Sequence, residues 1–455
     1  MKQEQVNLRQ LVMEMLLAVT IQREDRPMEY SHVMIRDVLN KYNYLSGQEK
    51  AFMKRLFEGT LERMIELDYC IDQFSKVKVA KMKPVIRTIM RMSVYQILYM
   101  DAVPDSAACN EAAKLAAKKG FSTLKGFVNG VLRNIVRNKE QLPYPDKEKD
   151  LETYLSVTYS MPVWIVKLWL EQLGKEMTEA LLKGLLEEHP VTIRLRKDRL
   201  TELEKVLQSQ GGTMEKQAYL PYAYRIAKTD DMSQLPGYEE GAFVIQDVSS
   251  MLAIEALGIK PNMKILDICA APGGKSMLAA DKLDGTGEVE ARDISEYKVT
   301  LMQENFERCG LQNVRAVCKD ATQSDKSWIG QADIVIADVP CSGLGVIGKK
   351  RDIKYKMTPE AIKDIVALQE QILEQAVSYV KPQGLLLFST CTINKAENES
   401  HVRFLQEKYN MTPVSLQIFK NTVEKILHVP GNFTEPPLEM AVVIDGKLTR
   451  EQVES

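Results

Sequence analysis

Two cysteines follow apolar, strand-like runs and are candidates for nucleophilic thiols. Cys341 lies in Asp338-Val-Pro-Cys-Ser-Gly343, and Cys391 lies in Ser389-Thr-Cys-Thr392. Because parallel strands end at the same edge of a sheet, we expect both thiols and the Asp338 carboxylate to share one rim. A lone cysteine near a strand is usually a small buried hydrophobe, but that interpretation fits poorly for two thiols at neighbouring strand ends.

These groups suit covalent catalysis on a pyrimidine ring. A thiolate that adds to carbon 6 of cytosine turns carbon 5 into a nucleophile, which can then attack an electrophilic methyl group. Asp338, either protonated or sharing a proton with N3 of the ring, would stabilise the charge that develops there. A second group must then remove the C5 proton. A free thiol titrates at about 8.5, so the attacking cysteine needs local help to ionise.

A glycine-rich turn between a predicted strand and a predicted helix is the candidate cofactor loop. Small residues let a ligand approach the backbone closely, and the start of a helix offers free N–H groups. The candidate binding residues in this turn are Cys269, Ala270, Ala271, Pro272, Gly273, Gly274 and Lys275.

Two nucleotide interpretations compete for this loop. A phosphate-binding loop needs Gly-x-x-x-x-Gly-Lys-Ser, but Cys269 stands where the first glycine belongs, and the NTPase interpretation is therefore the alternative. Asp293 ends the next strand, where a carboxylate can hold ribose hydroxyls, and Asp320 ends the third strand, near an adenine edge. A ribose and an adenine without a triphosphate favour S-adenosylmethionine. The ordinary role of a single strand-end aspartate would be a helix N-cap.

Apolar runs alternate with helical patterns from about residue 241 onward. Continuous apolar strands separated by helices predict a parallel, doubly wound α/β sheet that binds ligands at the carboxyl ends of its strands. The predicted strands are Lys264–Ile268, Gly287–Asp293, Val314–Cys318, Asp333–Asp338 and Gly384–Ser389.

The 455-residue chain is long enough for about three domains. Apolar spacings of three and four residues predict an all-helical first domain, and a proline-bearing, charged stretch predicts a linker. The predicted boundaries are 1–140 for the helical domain, 141–150 for the linker, 151–236 for a small α+β domain and 237–455 for the α/β domain. In the small domain, the strand pattern Val191–Arg196 places Arg194 and Arg196 on an exposed face, as ordinary surface or, alternatively, as an RNA contact.

Charge is unevenly distributed. The net charge is −2, but residues Ile71–Glu140 hold 13 Lys and Arg against 5 Asp and Glu. Such an excess suits binding to a phosphate backbone, although a solvated helix face explains it equally well.

Several classes of site are not expected. The seven cysteines are an odd number without a Cys-x-x-Cys pair, and the four histidines are scattered, so we expect neither a disulfide framework nor a metal site. Reduced thiols favour the cytoplasm. The chain start lacks the pattern of a signal peptide, and no stretch approaches the roughly 20 apolar residues of a membrane span.

These motifs resemble the Sun/Nop family of RNA cytosine-5 methyltransferases, in particular its bacterial subtype that acts on 16S ribosomal RNA. The matching residues are Cys269–Lys275, Asp293, Asp320, Asp338–Gly343, Ser389–Thr392 and Glu397-Asn-Glu399. In addition, Gln246–Ser250 resembles the motif at the start of the family's catalytic domain. Phe127–Asn134 resembles a motif of the NusB-like helical domain that this subtype carries at its N-terminus.

The resemblance implies a Rossmann-like class I methyltransferase domain that uses S-adenosylmethionine. It implies that Cys391 is the nucleophile and that Cys341 helps to release the product. DNA cytosine-5 enzymes attack with the Pro-Cys cysteine and have no Thr-Cys partner, so the pair favours RNA. The implied partner of this monomeric, cytoplasmic enzyme is ribosomal RNA, with the basic helical region as an RNA surface.

Two positions depart from the family pattern. Arg351 stands where the family usually has proline, and Gly431–Leu438 lacks the usual Asp-Gly-Phe-Phe. Both departures concern substrate positioning more than the reaction type. A different class, a NusB-like binding protein with an inactive enzyme domain, is disfavoured because Asp338, Cys341 and Cys391 are retained.

Overall fold

The computed structural model describes residues 6–21, 29–187, 191–196, 200–217, 220–227, 232–414 and the backbone of 441–445. Contacts divide the chain into two compact units. The first comprises Met1–Glu187 together with Val346–Met357, and the second comprises Glu188–Gly345 together with Thr358–Ser455. The two units do not coincide with the three predicted domains, whose boundaries lie at residues 140, 150 and 236. The division into three domains therefore stays a prediction. The segment Gly431–Leu438 lies outside the described residues.

The first unit is helical, as the sequence predicts for residues 1–140. Its helices are α1 (Leu8–Thr20), α2 (Ser31–Lys41), α3 (Gly47–Glu62), α4 (Met64–Phe74), α5 (Pro84–Tyr99), α6 (Asp105–Lys118), α7 (Lys125–Asn138), α8 (Leu151–Thr158), α9 (Val163–Leu173) and α10 (Lys175–Gly184). Local signals set several starts, because a capping box of Ser46 and Glu49 opens α3 and Pro84 occupies the first turn of α5.

Helix α5 is the centre of this unit. Most of its residues are buried, including the polar side chain of Gln96, as expected for a helix surrounded by others. Helix α3 approaches α5 at Gly59, where an added Cβ would lie only 2.0 Å from Tyr95 Cζ. Any larger residue at this position would therefore displace the Tyr95 ring.

The second unit contains a small antiparallel sheet and one helix beside it. Its strands are β1 (Val191–Leu195), β2 (Thr213–Lys216), β3 (Ala223–Ala227) and β4 (Phe243–Ile245), in the order β2-β3-β1-β4, and the helix is α11 (Leu200–Ser209). The predicted α+β pattern of this region is confirmed.

The expectation that Arg194 and Arg196 face solvent is wrong. Both guanidinium groups pair with Asp281, and the Arg196 Nη2 to Asp281 Oδ1 distance is 2.7 Å. Arg194 is only 3% exposed and also donates from Nε to Gln246 Oε1 at 2.9 Å. Alternation identified the correct face of the strand, but it could not show that other residues of the second unit cover that face.

The second unit also contains a seven-stranded sheet. Its strands are β5 (Lys264–Asp267), β6 (Glu288–Asp293), β7 (Val314–Cys318), β8 (Ala332–Asp338), β9 (Val380–Ser389), β10 (Thr412–Pro413) and β11 (Ala441–Asp445). The remaining helices of the chain are α12 (Val248–Glu255), α13 (Gly274–Lys282), α14 (Glu296–Arg308), α15 (Ile353–Lys356), α16 (Pro359–Tyr379) and α17 (Glu399–Tyr409). Of these helices, α15 belongs to the first unit.

The strand order β10-β11-β9-β8-β5-β6-β7 contains a parallel core. The five predicted strands β5 to β9 pair in parallel, which confirms the predicted doubly wound arrangement. Strands β10 and β11 add an antiparallel edge that was not predicted. From β5 the chain adds β6 and β7 on one side of the sheet, and it then crosses back to add β8 and β9 on the other side of β5. The place between β5 and β8 is therefore a topological switch point, where open α/β sheets bind ligands.

Successive residues of β8 pack into different cores on the two faces of this sheet. Ile334 and Ile336 contact the cluster that contains Leu278 of α13, whereas Val335 contacts the cluster that contains Leu373 of α16. This alternation is the two-residue period of a strand buried on both faces. Among the residues that the structure describes, no helix has the length and apolar character needed to cross a bilayer.

The segment Val346–Met357 completes the first unit through buried polar contacts. Lys354 is buried, and its ammonium donates to the carbonyl oxygens of Glu62 at 2.7 Å and Ser160 at 2.6 Å. Asp352 accepts hydrogen bonds from the backbone N–H and the hydroxyl of Ser31.

Arg351, the departure from the family pattern, is held in the same segment. Its Nε lies 3.0 Å from Glu62 Oε1, and its Nη1 lies 3.3 Å from Glu58 Oε2. The side chain that replaces proline therefore has its own carboxylate partners, and both belong to helix α3.

Candidate active site

The carboxyl ends of the parallel strands bring the predicted site residues to one rim. Asp293 ends β6, Asp338 ends β8, and Asp320 follows two residues after β7. Asp338 pairs in register with Ser389 at the end of β9, so the Pro-Cys and Thr-Cys loops leave the sheet side by side. The glycine-rich loop leaves the same edge between β5 and α13.

The cofactor loop turns through a left-handed glycine. Gly273 has a φ of 98°, and a Cβ there would lie 3.0 Å from Phe306 Cε1. Its N–H donates to the Ala270 carbonyl at 2.7 Å, while the Ala270 N–H donates to the Arg292 carbonyl at 2.7 Å. These bonds fix the turn to the neighbouring strand and direct it into α13, so only glycine suits this position. Burial raises the pKa of Cys269, and this thiol remains protonated.

Lys275 joins the cofactor loop to the Pro-Cys motif. Its buried ammonium lies 2.8 Å from Asp338 Oδ2 and 3.0 Å from Ser250 Oγ. Ser389 donates its hydroxyl to the other oxygen, Asp338 Oδ1, at 2.9 Å. The lysine therefore neutralises a carboxylate of the site, a different task from binding the phosphates of a nucleoside triphosphate.

Asp293 and Asp320 are each oriented by their own turns. Asp293 Oδ1 accepts the Ser295 N–H at 3.0 Å, and Ser295, not Asp293, caps helix α14. Asp320 Oδ1 accepts the N–H of Thr322 at 2.9 Å and its hydroxyl at 2.8 Å. The helix N-cap alternative is therefore wrong for Asp293.

Asp267 is a buried carboxyl of the rim that the sequence analysis did not single out. It accepts the Ser276 hydroxyl at 2.6 Å, and burial, together with the nearby charge of Asp338, raises its pKa to about 7. The sequence signal that could have identified it is an acidic residue within an apolar strand, directly before the glycine-rich turn.

The two candidate thiols are in contact. The distance between Cys341 Sγ and Cys391 Sγ is 3.2 Å, and the Cys391 N–H donates to Cys341 Sγ at 3.3 Å. The contact with Cys391 and, secondly, burial raise the pKa of Cys341 well above its ordinary value. Cys341 therefore carries its proton at neutral pH.

Behind the thiols lies a buried carboxylate that the sequence matched only as part of a motif. Glu397 is 0% exposed and accepts the N–H of Ser342, the residue after Cys341, at 2.8 Å. The motif gave no reason to expect a contact with the Pro-Cys loop, because 55 residues separate the two positions.

Comparisons with known proteins match both parts of the chain. Residues 6–137 match the model of the NusB family, and residues 254–432 match the model described as 16S rRNA methyltransferase RsmB/F.

Relatives that align with most of the chain agree with these matches. A Bacillus subtilis protein named probable ribosomal RNA small subunit methyltransferase B is 35% identical, over 87% of this chain and 88% of its own length. A protein of the same name from Synechocystis is 34% identical, over 86% of this chain and 88% of its own. The crystal structure of PH0851 has the same fold, with a TM-score of 0.74 and 21% identity over 98% of this chain and 99% of that one. The chain belongs to the ribosomal RNA small subunit methyltransferase B family, a family of transferases.

Proposed function

We propose that the protein methylates carbon 5 of a cytosine in 16S ribosomal RNA, with S-adenosylmethionine as methyl donor. The observation that carries this proposal is the pair of thiols 3.2 Å apart beside Asp338, at the same rim as the glycine-rich loop. Thiol addition to carbon 6 explains why such a rim would hold two cysteines. The names of the relatives support ribosomal RNA of the small subunit as the substrate.

The residues of the rim fit S-adenosylmethionine. The buried Asp293 would accept the ribose hydroxyls, Asp320 the adenine edge, and the loop Cys269–Lys275 the remainder. Beside Asp293, the side chain of Ile294 is 68% exposed and offers an apolar surface to a planar ring. The bound cofactor would supply an electrophilic methyl group.

Cys391 acts first in the proposed reaction. Its sulfur forms a bond to carbon 6 as the C5–C6 π bond opens, and carbon 5 then accepts the methyl group. Asp338 is paired with Lys275 and, either protonated or sharing a proton with N3, would stabilise the charge that develops on the ring.

Cys341 acts second. The first cause of its raised pKa is the neighbouring Cys391, and Cys391 becomes a neutral thioether once it is bonded to carbon 6. The pKa of Cys341 then falls, although burial still raises it, and once Cys341 has released its proton to water its thiolate can remove the C5 proton. The electrons of the C5–H bond restore the C5–C6 double bond, and Cys391 leaves as a thiolate.

The helical unit is the proposed RNA-binding surface. Of the 13 Lys and Arg in Ile71–Glu140, eight have no ion pair with a described residue, namely Lys76, Lys81, Lys83, Arg87, Lys118, Lys125, Arg133 and Arg137. All seven cysteines of the chain are free thiols, which fits a monomeric enzyme of the reducing cytoplasm, where ribosomal RNA is present.

The decisive experiment is bisulfite sequencing of 16S and 23S RNA from cells with and without this protein. We expect one protected cytosine of 16S RNA to become unprotected when the gene is deleted, and to recover with the wild-type gene but not with a Cys391→Ala gene. An identical protection pattern in both strains would refute the proposal. ATP hydrolysis by the purified protein without methyl transfer would instead support the phosphate-binding alternative.

A further inference from the structure

The carboxylate of Glu397 is saturated by four donors. Its Oε1 accepts the Ser342 hydroxyl at 2.5 Å and the Asn394 amide at 2.9 Å. Its Oε2 accepts the Ser342 N–H at 2.8 Å and the Gln369 amide at 3.3 Å. Ser342 supplies two of the four bonds, whereas Asn394 and Gln369 supply one each. The strongest attachment of this carboxylate is therefore to the Pro-Cys loop.

The direction of these bonds is fixed by the surrounding groups. Gln369 Nε2 also donates to the Pro340 carbonyl at 2.8 Å, and Asn394 Oδ1 accepts the Ala396 N–H at 3.2 Å, so both amides present N–H groups to Glu397. All four bonds come from neutral N–H and O–H groups that point at the two oxygens of Glu397. A buried polar group whose oxygens depend on hydrogen bonds tolerates little displacement of its partners.

The same carboxylate reaches the second cysteine loop through two hydroxyls. Ser342 follows Cys341, Thr392 follows Cys391, and their hydroxyl oxygens lie 2.6 Å apart. The single hydroxyl hydrogen of Ser342 is donated to Glu397, so Thr392 must be the donor between the two hydroxyls. An ordered chain of hydrogen bonds therefore runs from Thr392 through Ser342 to Glu397, and it joins the two loops at the residue after each thiol.

Other hydrogen bonds involve the same two loops. The Gly345 N–H donates to the Cys391 carbonyl at 3.1 Å, and Asn398 bonds the Thr390 hydroxyl and the Thr392 carbonyl. Of these, only the Gly345 bond links one loop to the other, and it lies four residues away from Cys341. Apart from the Cys391 N–H bond to Cys341 Sγ, the chain through Ser342 is the link closest to both sulfur atoms.

We propose that Glu397 is a positioning residue that sets the separation of the Cys341 and Cys391 thiols by holding Ser342 and Thr392 together. This assignment rests on the proposed two-thiol reaction, in which both sulfurs must reach one cytosine ring. A glutamine at this position has a single acceptor oxygen, so one of the two donors of Ser342 would lose its partner. The Pro-Cys loop would then shift relative to the Thr-Cys loop.

The test compares Glu397→Gln with Glu407→Gln, the same chemical change at an exposed position of α17. The first measurement needs no RNA: diamide oxidises the two thiols to a disulfide and is itself reduced to a hydrazine, and mass spectrometry follows the Cys341–Cys391 cross-link. We expect the cross-linking rate of Glu397→Gln to fall about tenfold or more. We also expect kcat with 16S RNA to fall between about tenfold and a hundredfold, with an unchanged KM. Glu407→Gln should match the wild type.

Calorimetry with S-adenosylmethionine shows whether Glu397→Gln is folded. If it is not, Thr392→Val removes only the bond between the hydroxyls and should slow cross-linking several-fold. Wild-type cross-linking and kcat in a folded Glu397→Gln, or in Thr392→Val as the substitute, would overturn the proposal. If the cross-linking rate falls but the wild-type protein methylates no RNA, the positioning role stands and the proposed function fails.

Discussion

The contact between the two thiols makes their protonation states depend on each other. While both are free, Cys391 and burial keep the pKa of Cys341 high. In the proposed reaction, Cys391 attacks while Cys341 is still a thiol, and Cys341 acts as a base after Cys391 is bonded to the substrate. The proposed order of the two chemical steps is consistent with this coupling.

Exchanging either cysteine should separate these steps. Cys391→Ala should abolish both methylation and covalent capture of RNA, because no thiolate reaches carbon 6 of the flipped cytosine. Cys341→Ala should still attack and methylate, and then stall with the RNA attached. The measurement is a slowly migrating protein–RNA band on a denaturing gel, which the double variant should lack. A band that requires Cys341 and not Cys391 would show that the roles are reversed.

Asp293 should contribute strongly to cofactor affinity. Loss of a buried, charge-assisted hydrogen bond typically costs about 1.5–3 kcal/mol, so Asp293→Ala should weaken S-adenosylmethionine binding roughly ten- to a hundredfold. Calorimetry measures this change, with the exposed Asp364→Ala as the control. Unchanged affinity in a folded Asp293→Ala protein removes this residue from the site.

Asp267 should make stability depend on pH in an unusual direction. Its pKa is about 7 in the folded state because of burial, against about 3.9 in an unfolded chain. The folded state therefore holds a proton that the unfolded state has lost, and this contribution to stability disappears as the pH rises from 4 through 7. In urea unfolding without cofactor, the wild type should gain about 2–3 kcal/mol relative to Asp267→Asn on going from pH 8 to pH 5. An equal difference at both pH values contradicts this assignment.

Among the secondary-structure elements, strands with continuous apolar runs could be predicted from the sequence. Elements that form only because another segment pairs with them could not be predicted. Strands β5 to β9 are buried on both faces, so their residues carry the signal without knowledge of the fold. Strand β10 has two residues and exists only because β11 pairs with it, so no periodicity marks it. The burial of Arg194 and Arg196 depended on Asp281, which is 85 or more residues away in the sequence.

The candidate site divides in the same way. The strand-end residues Asp293 and Asp338 could be placed on one rim because a parallel sheet dictates it. The contacts of Lys275 and Glu397 could not be derived, since both depend on which group from another loop faces them. Sequence spacing identifies the groups at a sheet edge, but hydrogen-bond partners across that edge require the packed structure.

The segment that carries Lys354 should be a stability determinant of the helical unit. Burial lowers the pKa of this lysine to about 7, yet its ammonium satisfies two buried carbonyl oxygens. Lys354→Ala leaves both carbonyls without this donor and removes buried methylene groups, so we expect a loss of about 2–4 kcal/mol in the free energy of unfolding. The exposed Lys350→Ala, four residues away, should stay within about 0.5 kcal/mol of the wild type in the same denaturation experiment. Equal stability of the two variants would mean that this segment is not integral to the unit.

At the scale of the whole molecule, RNA affinity should depend on one face of α7. Lys125, Arg133 and Arg137 are exposed and spaced by multiples of four residues, so they lie on one side of the helix. The triple alanine variant should lower the slope of log affinity against log salt concentration by about 2–3, since each phosphate contact contributes about 0.7–0.9. The affinity for 16S RNA fragments is measured by filter binding across a range of salt concentrations.

The matched control replaces lysines that are already in ion pairs, Lys78, Lys114 and Lys139. This variant should keep the wild-type slope to within about one contact. If the α7 variant also keeps the wild-type slope, the basic face is ordinary surface. Deleting residues 1–187 would be a poorer test, because Val346–Met357 would lose the unit to which it belongs.

The return of Val346–Met357 to the first unit has a consequence for the order in which the protein is made. The ribosome completes Glu187 roughly 170 residues before Met357, a delay of about 10–30 s at the usual rates of bacterial synthesis. During that time the nascent helices have no Lys354 to bind the carbonyls of Glu62 and Ser160, and no Asp352 to bind Ser31. Water must occupy those positions until the segment emerges. The part of the chain that is synthesised first is therefore among the last to reach its native state.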